Sequence, residues 1–302
     1  MKLLITGASG LYGSKLAEFA TARKFQVYSG YSRNMPAYGV PVRFDVSDKI
    51  HVDEAFEKVN PDVVVHAAAL TNVDKCEINR DLAWKINVEG TRNICEATKA
   101  CHAFLLYIST DYVFNGERGR YRETDSTDPI NYYGVTKLKA EEIVKDLVEK
   151  CCVARASVTY GSTPASGKIN FALWLLDKLK KSEQVKIVTD QWNSPTLNTS
   201  MAYMTLEVIE SKLAGIFHLS GASRVSRYDF AKLLAQTFNL DPNLLIPCTS
   251  EEFSWIAKRP TDSSLNTTKA QKTLKNKPLP VKQALEIMKQ ELNQYNRSGF
   301  CQ

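Results

Sequence analysis

The chain has 302 residues, 44% of them hydrophobic and 24% charged, enough for one large or two modest cooperating domains with a substantial core. Its formal charge is +6 and its pI about 8.8, yet Lys and Arg are interleaved with Asp and Glu, which favours small anionic ligands and argues against a nucleic-acid partner. No apolar run reaches the roughly 18 residues of a membrane span, MKLLITGASG turns to glycine too soon for a secretory leader, and the seven scattered cysteines form neither a CxxC nor a zinc-spaced cluster. These features predict a cytoplasmic protein with reduced thiols, no membrane contact and no metal.

Short apolar runs then alternate with helical patterns through the first half. In chain order they are the strand candidate KLLIT, the helix LYGSKLAEFATAR, the strands QVYSGYS and VRFDV, the helix HVDEAFEKV, the strand DVVVHAAA, the helix LAWKINVEGTRNICEATKA, and the strands AFLLYIST and VARASVTY. The strands carry few charges because helices cover both of their faces, so the expected fold is α/β, a doubly wound parallel sheet of Rossmann type with a smaller C-terminal substrate domain. Past Gly161 the regularity breaks at STPASGK, a turn-rich stretch that reads as a loop over a site. Helices in NFALWLLDKLKK and NTSMAYMTLEVIES and strands in VKIVTD and GIFHLS follow, GIFHLS returning to the main sheet. The expected division is 1–160 for dinucleotide binding and 161–302 mainly for substrate, with segments near 194–221 returning to the first.

The first strand runs straight into TGASGLYG, where Gly7, Gly10 and Gly13 with Ser9, Leu11 and Tyr12 open a helix. A strand, a glycine turn and a helix N-terminus together make a phosphate cradle, because free backbone amides and the helix dipole both face the anion. The second strand ends at Ser32-Arg33, with no carboxylate for a ribose diol; Arg33 instead suits a 2′-phosphate, which favours NADP, the alternative being a solvated loop cation. Asp45 and Val46 suit the adenine edge or, alternatively, a helix start. Ala67, Ala68 and Ala69 are small enough for a cofactor to lie against the fourth strand's end. Ligands of doubly wound sheets gather at the strands' carboxyl ends, so Thr110, which ends the fifth strand, faces the same crevice. In NYYGVTKLKAEE, Tyr133 precedes Lys137 by one helical turn, which puts phenol and ammonium on one face. Thr110, Tyr133 and Lys137 make a plausible hydride-transfer site: the phenol protonates a carbonyl oxygen, Thr110 orients that carbonyl, and Lys137 lowers the phenol's pKa and holds the nicotinamide ribose. Tyr228 and Lys232 share the spacing but have no strand end beside them.

At this point the chain resembles the extended short-chain dehydrogenase/reductases, and within them the dTDP-4-dehydrorhamnose reductase family, through TGASGLYG, AAALTNVDKCE, YISTDYVFNG, YRETDSTDPINYYGVTKLKAEE, DQWNSPT and RPTDSSLNTTK in the family's order. The resemblance implies that Tyr133 is the proton donor, Lys137 its partner and Thr110 the third member, with Asn87 a structural residue beside the cofactor. It implies substrate contacts at Thr110 and Asp111, though Asp111 alternatively caps the following loop. Arg259 suits a diphosphate or, alternatively, a structural contact with Asp262. Val158 stands where related reductases carry a tryptophan, which removes a stacking surface for the sugar. Nucleotide-sugar dehydratases need Asp-Glu after the threonine, and here the sequence is Thr110-Asp111-Tyr112. The reading is therefore a reductase of a nucleotide-linked 4-keto-6-deoxy sugar. A second reading is an NADP-binding regulatory subunit, since the regulatory subunit of methionine adenosyltransferase is similar to the same reductases. Some relatives dimerise around a metal, so a homodimer stays open, but no metal-ligand spacing occurs here.

Overall fold

The computed structural model describes residues 1–164 and 169–297; the end of STPASGK lies outside them. β1 (Lys2–Thr6), β2 (Gln26–Tyr31), β3 (Val40–Arg43), β4 (Val63–His66), β5 (Phe104–Thr110) and β6 (Cys151–Ala156) form a parallel sheet with Gly215–His218 as a seventh strand. The order across the sheet is Gly215–His218, β6, β5, β4, β1, β2, β3, so the winding reverses between β4 and β1, and a crevice opens beyond their carboxyl ends. Alternation along β1 shows why the sheet needs two covers. Leu3 and Ile5 pack with Leu16, Met201 and Leu206 of the helices Leu11–Ala22 and Asn198–Glu210. Leu4 joins Phe56, Ile94 and Ile143 of the helices Lys49–Val59, Gly90–Ala100 and Tyr132–Leu147 on the other face. All three β1 side chains are wholly buried, each contributing about 1.5–3 kcal/mol.

A second core gathers the helices Phe171–Lys180, Arg227–Thr237 and Val281–Arg297 around Leu175, Leu176, Leu234 and Leu285, beside a parallel pair of strands, Val185–Val188 and Leu245–Cys248. Gly215–His218 pairs with β6, with His218 opposite Arg155.

Three elements differ from the sequence reading. Asp45, Val46 and Ala67–Ala69 lie in loops beyond β3 and β4 rather than in the strands. LAWKINVEGTRNICEATKA is not one regular helix: Arg80–Trp84 passes through a wider turn at Lys85–Glu89 into Gly90–Ala100, and Gly90 sits so close to Val46 that an added Cβ would lie 3.0 Å from its side chain. VARASVTY breaks after Ala156, because Val158 takes a left-handed φ of 32° before the short strand Thr159–Tyr160. A branched side chain disfavours that backbone, so its surroundings impose it. Thr196 does much of this: its hydroxyl donates to Ser157 O at 2.6 Å and its amide to Val158 O at 3.2 Å. Among the described residues no helix is long and apolar enough to cross a membrane.

Candidate active site

The cradle is built by close backbone approach. Gly7 has φ +67°, and a Cβ there would lie 2.9 Å from Ala68 N; a Cβ on Gly13 would lie 2.3 Å from Gly7 O. A Cβ on Gly10 meets only Gly7 O, at 3.2 Å, so the space before Gly10 is left open. Gly10 begins the helix Leu11–Ala22 without a side-chain cap, and its first amides face that space. Ser9 and Leu11 are half-buried beside it. Tyr12 belongs to the core: its hydroxyl donates to Thr205 Oγ1 at 2.7 Å, so only its backbone is placed to meet a phosphate. Thr6 Oγ1 accepts from the amides of Ala67 and Ala68 at 3.1 Å, which ties the half-buried alanine loop to β1. These features fit a dinucleotide.

Ser32 and Arg33 are exposed beyond β2, and Arg33 has no ion-pair partner among the described residues. Asp45 is exposed and accepts from Ser47 N and Oγ at 2.9 Å. The helix start considered for it belongs instead to Asp48, which accepts from the amides of Ile50 and His51. Val46 is buried and its carbonyl accepts from Asn93 Nδ2 at 3.0 Å.

Tyr133 and Lys137 lie one turn apart on Tyr132–Leu147, whose N-cap Asn131 accepts from Gly134 N at 2.9 Å. Lys137 is 3% exposed, donates to Ile108 O at 2.6 Å, and stands 4.1 Å over the Tyr107 ring. Burial pulls its ammonium down to about 7, against the opposing charge of Glu141. Burial raises the Tyr133 phenol, with the Thr110 hydroxyl opposing. The charges of Asp111 and the neighbouring Cys76 and Tyr112 add to the rise, and the Thr110 hydroxyl is the one group that lowers it. Thr110, at the end of β5, donates to Asp111 Oδ1 at 3.0 Å and is the third member of the group.

Asp111 was expected against a sugar, but its side chain is 2% exposed and both oxygens are in use. Oδ2 accepts from Ser157 Oγ at 2.7 Å and Ser263 Oγ at 2.6 Å. Burial raises its pKa and these hydroxyls oppose the rise. It ties β5, β6 and the segment after Arg259 together behind Thr110. Asn87 is likewise spent inside the protein. Its Oδ1 accepts from Leu70 N at 2.7 Å, and its Nδ2 donates to Leu70 O at 3.2 Å and Thr136 Oγ1 at 3.0 Å, which braces the loop after β4 against the Tyr133 helix. Arg259 does not meet Asp262. It pairs with Asp74 at 2.8 Å, while Asp262 takes Arg224 Nε at 2.6 Å.

Sequence reasoning missed two buried polar groups. His66, wholly buried at the end of β4, shares hydrogen bonds with Thr6 Oγ1 at 2.7 Å and Thr91 Oγ1 at 3.1 Å, and burial lowers it to about 3. Glu141, one turn past Lys137, accepts Arg155 Nε at 2.9 Å, Arg155 Nη2 at 2.7 Å and Ser109 Oγ at 2.5 Å. The spacing Tyr133, Lys137, Glu141 was readable as one helix face; Arg155 and Ser109 reach it only through the sheet. Among the described residues no group of three or more His, Cys, Asp or Glu side chains is placed to hold a metal.

Compared with known proteins, the chain matches the RmlD substrate binding domain family over residues 1–294. It is 30% identical to dTDP-4-dehydrorhamnose reductase of Aggregatibacter actinomycetemcomitans, across 94% of this chain and 97% of that one. It is 31% identical to methionine adenosyltransferase 2 subunit beta of Xenopus laevis, across 90% of this chain and 82% of that one. The crystal structure of dTDP-4-dehydrorhamnose reductase from Bacillus anthracis in complex with NADP superposes with a TM-score of 0.87 at 31% identity, covering 96% of this chain and 99% of that one. A match over residues 1–294 takes in both the sheet and the second core, and the chain belongs to the RmlD substrate binding domain family.

Proposed function

We propose that the chain is an NADP-dependent reductase of a nucleotide-linked 4-keto-6-deoxy sugar, converting dTDP-4-dehydrorhamnose to dTDP-L-rhamnose. The observation that carries this reading is the placing of Tyr133 and Lys137 one turn apart, with Thr110, at the carboxyl end of a parallel sheet whose first strand feeds a glycine cradle. NADPH supplies the hydride when bound. The residues proposed to hold it are Gly7, Ser9, Gly10, Leu11, Tyr12 and Gly13 through backbone amides, Ser32 and Arg33 at the 2′-phosphate, Asp45 and Val46 at the adenine, and Ala67–Ala69 along the strand end. Asn87 positions that last loop. Thr110 orients the substrate carbonyl, Tyr133 gives its oxygen a proton, and Lys137 supports the nicotinamide ribose. Residues 1–160 hold the cofactor, 161–302 mainly hold the sugar nucleotide, and the segments near 194–221 serve the first unit. We place the protein in the cytoplasm, where its free cysteines stay reduced.

Single-turnover oxidation of NADPH with dTDP-4-dehydrorhamnose tests the reading. Tight NADPH binding with no turnover of any 4-keto-6-deoxy sugar nucleotide would overturn it, and a stoichiometric synthetase partner recovered with that inactive protein would establish the regulatory reading instead. For the cofactor, Arg33→Ala should narrow the preference for NADPH over NADH by about 1 to 3 kcal/mol, the scale of a charged hydrogen bond. Equal dissociation constants in the parent would refute the assignment.

A further inference from the structure

The arginines at the carboxyl end of the sheet are unequal in how their charge is met. Arg155 is held bidentately by Glu141, while Arg224 makes a single bond to Asp262 and Arg259 a single bond to Asp74, which leaves Arg259 donating its other terminal nitrogen to Ala257 O at 2.8 Å. Arg227 has no carboxylate within ion-pair distance among the described residues. It is nevertheless half-buried and fixed. Its Nε donates to Gln191 Oε1 at 3.1 Å, its amide donates to Gln191 O at 3.0 Å, and its guanidinium lies 5.7 Å from the Phe171 ring centre. Beside it is a small cleft lined by Val158, Phe171, Asn193, Pro195 and Phe230.

Arg227 is linked to the reacting groups through Tyr112. Arg227 stands close enough to Tyr112 to oppose the upward push of burial on that phenol, and the Tyr112 ring meets the Tyr133 ring edge-on at 6.0 Å. An ordered guanidinium without a carboxylate partner, hydrogen-bonded to Tyr112 one aromatic side chain from the proton donor, is matched to an oxyanion that arrives with the substrate. In a 4-keto hexose the ketone and the anomeric carbon lie on opposite sides of the ring. A sugar with its ketone at Tyr133 therefore sends its anomeric substituent away from that phenol, and the cleft beside Arg227 is the space offered to it there.

We propose that Arg227, not Arg259, is the principal cation for the diphosphate of the nucleotide sugar, an inference that rests on the sugar-nucleotide reading given above. Arg259 and Asp74 instead form a strap joining Val73–Ile78 to the segment after Phe253, which Ala257 N reinforces by donating to Asp74 Oδ1 at 3.0 Å.

The test is calorimetric binding of dTDP and thymidine to the NADPH-loaded protein, with parent, Arg227→Met, Arg227→Lys and Arg259→Met compared at matched salt. Arg227→Met should weaken dTDP by roughly 10- to 100-fold, the range for losing one charge-assisted fork, without changing thymidine or NADPH affinity. Arg227→Lys should fall between, because it keeps the charge and loses the fork, and it still reads the effect if the methionine variant folds poorly. In turnover the loss should appear in KM with kcat nearly unchanged. Parent-like dTDP affinity in both Arg227 variants overturns the assignment, as does a tenfold loss confined to Arg259→Met. A parent that binds NADPH but not dTDP overturns the sugar-nucleotide reading along with it.

Discussion

Burial keeps Tyr133 protonated across the working range of pH, which suits a group that must give up a proton only when an alkoxide forms beside it. Tyr133→Phe removes that proton and leaves the ring, so kcat should fall by about 10² to 10⁴ with little change in NADPH affinity, as single-turnover NADPH oxidation would report. Tyr132 and Tyr228 are the controls. Tyr132 lies under the Arg80 guanidinium at 5.0 Å and Tyr228 under Lys232 at 4.9 Å, both away from Thr110, so their phenylalanine variants should stay within a few-fold of the parent. Lys137 gives a pH prediction with a definite sign. With its ammonium drawn down to about 7 by burial, the cofactor-free enzyme at pH 8 holds mainly the neutral amine. An anionic dinucleotide beside it favours the charged form, so NADPH binding at that pH should take up a proton. Calorimetry in buffers of different ionisation enthalpy measures this uptake; it should vanish in Lys137→Met, and its absence from the parent would refute the account.

At the scale of elements, the cradle separates two glycines that look alike in TGASGLYG. A side chain on Gly13 collides with Gly7 O at 2.3 Å, so Gly13→Ala should lower the melting temperature, at a cost of about 1–3 kcal/mol for overpacking. The Cβ of Gly10→Val meets only one backbone oxygen, and its methyls fill the space before the helix, so the variant should fold and lose most of its NADPH affinity, as a thermal melt beside a cofactor titration would show. The strands and helices that form this cradle were legible because the buried positions repeat with the period of each element, as Leu3, Leu4 and Ile5 do on the two faces of β1. Tyr133 and Lys137 were legible because they share one helix face. Polar pairing across the sheet was not: Asp111 takes hydroxyls from positions 46 and 152 residues away, and nothing in a local pattern announces that closure. The wider turn at Lys85–Glu89 and the left-handed Val158 escaped for the same reason, since distant contacts impose both against local preference.

Across the whole molecule, two strand-ending histidines set the response to acid. His66 and His218 are wholly buried and lowered by burial to about 3, so between pH 6.5 and 3 the unfolded chain binds protons that the folded chain refuses, and stability falls as pH falls. At pH 5 each should cost about 2 kcal/mol relative to neutrality, and the drop in melting temperature between pH 7 and pH 5 should be shallower in His66→Gln. A drop as steep in that variant as in the parent would remove His66 from the explanation. The late arrival of the seventh strand has a consequence for synthesis on the ribosome. β6, buried along its whole length, waits for Gly215–His218 to close its open edge, and roughly sixty residues separate the two. At the usual pace of translation that interval lasts roughly 3 to 12 s. For that time an apolar, parallel-pairing edge carrying Cys151 and Cys152 is open to whatever else is being made nearby, so the nascent chain, more than the finished enzyme, is where chaperones matter to this protein.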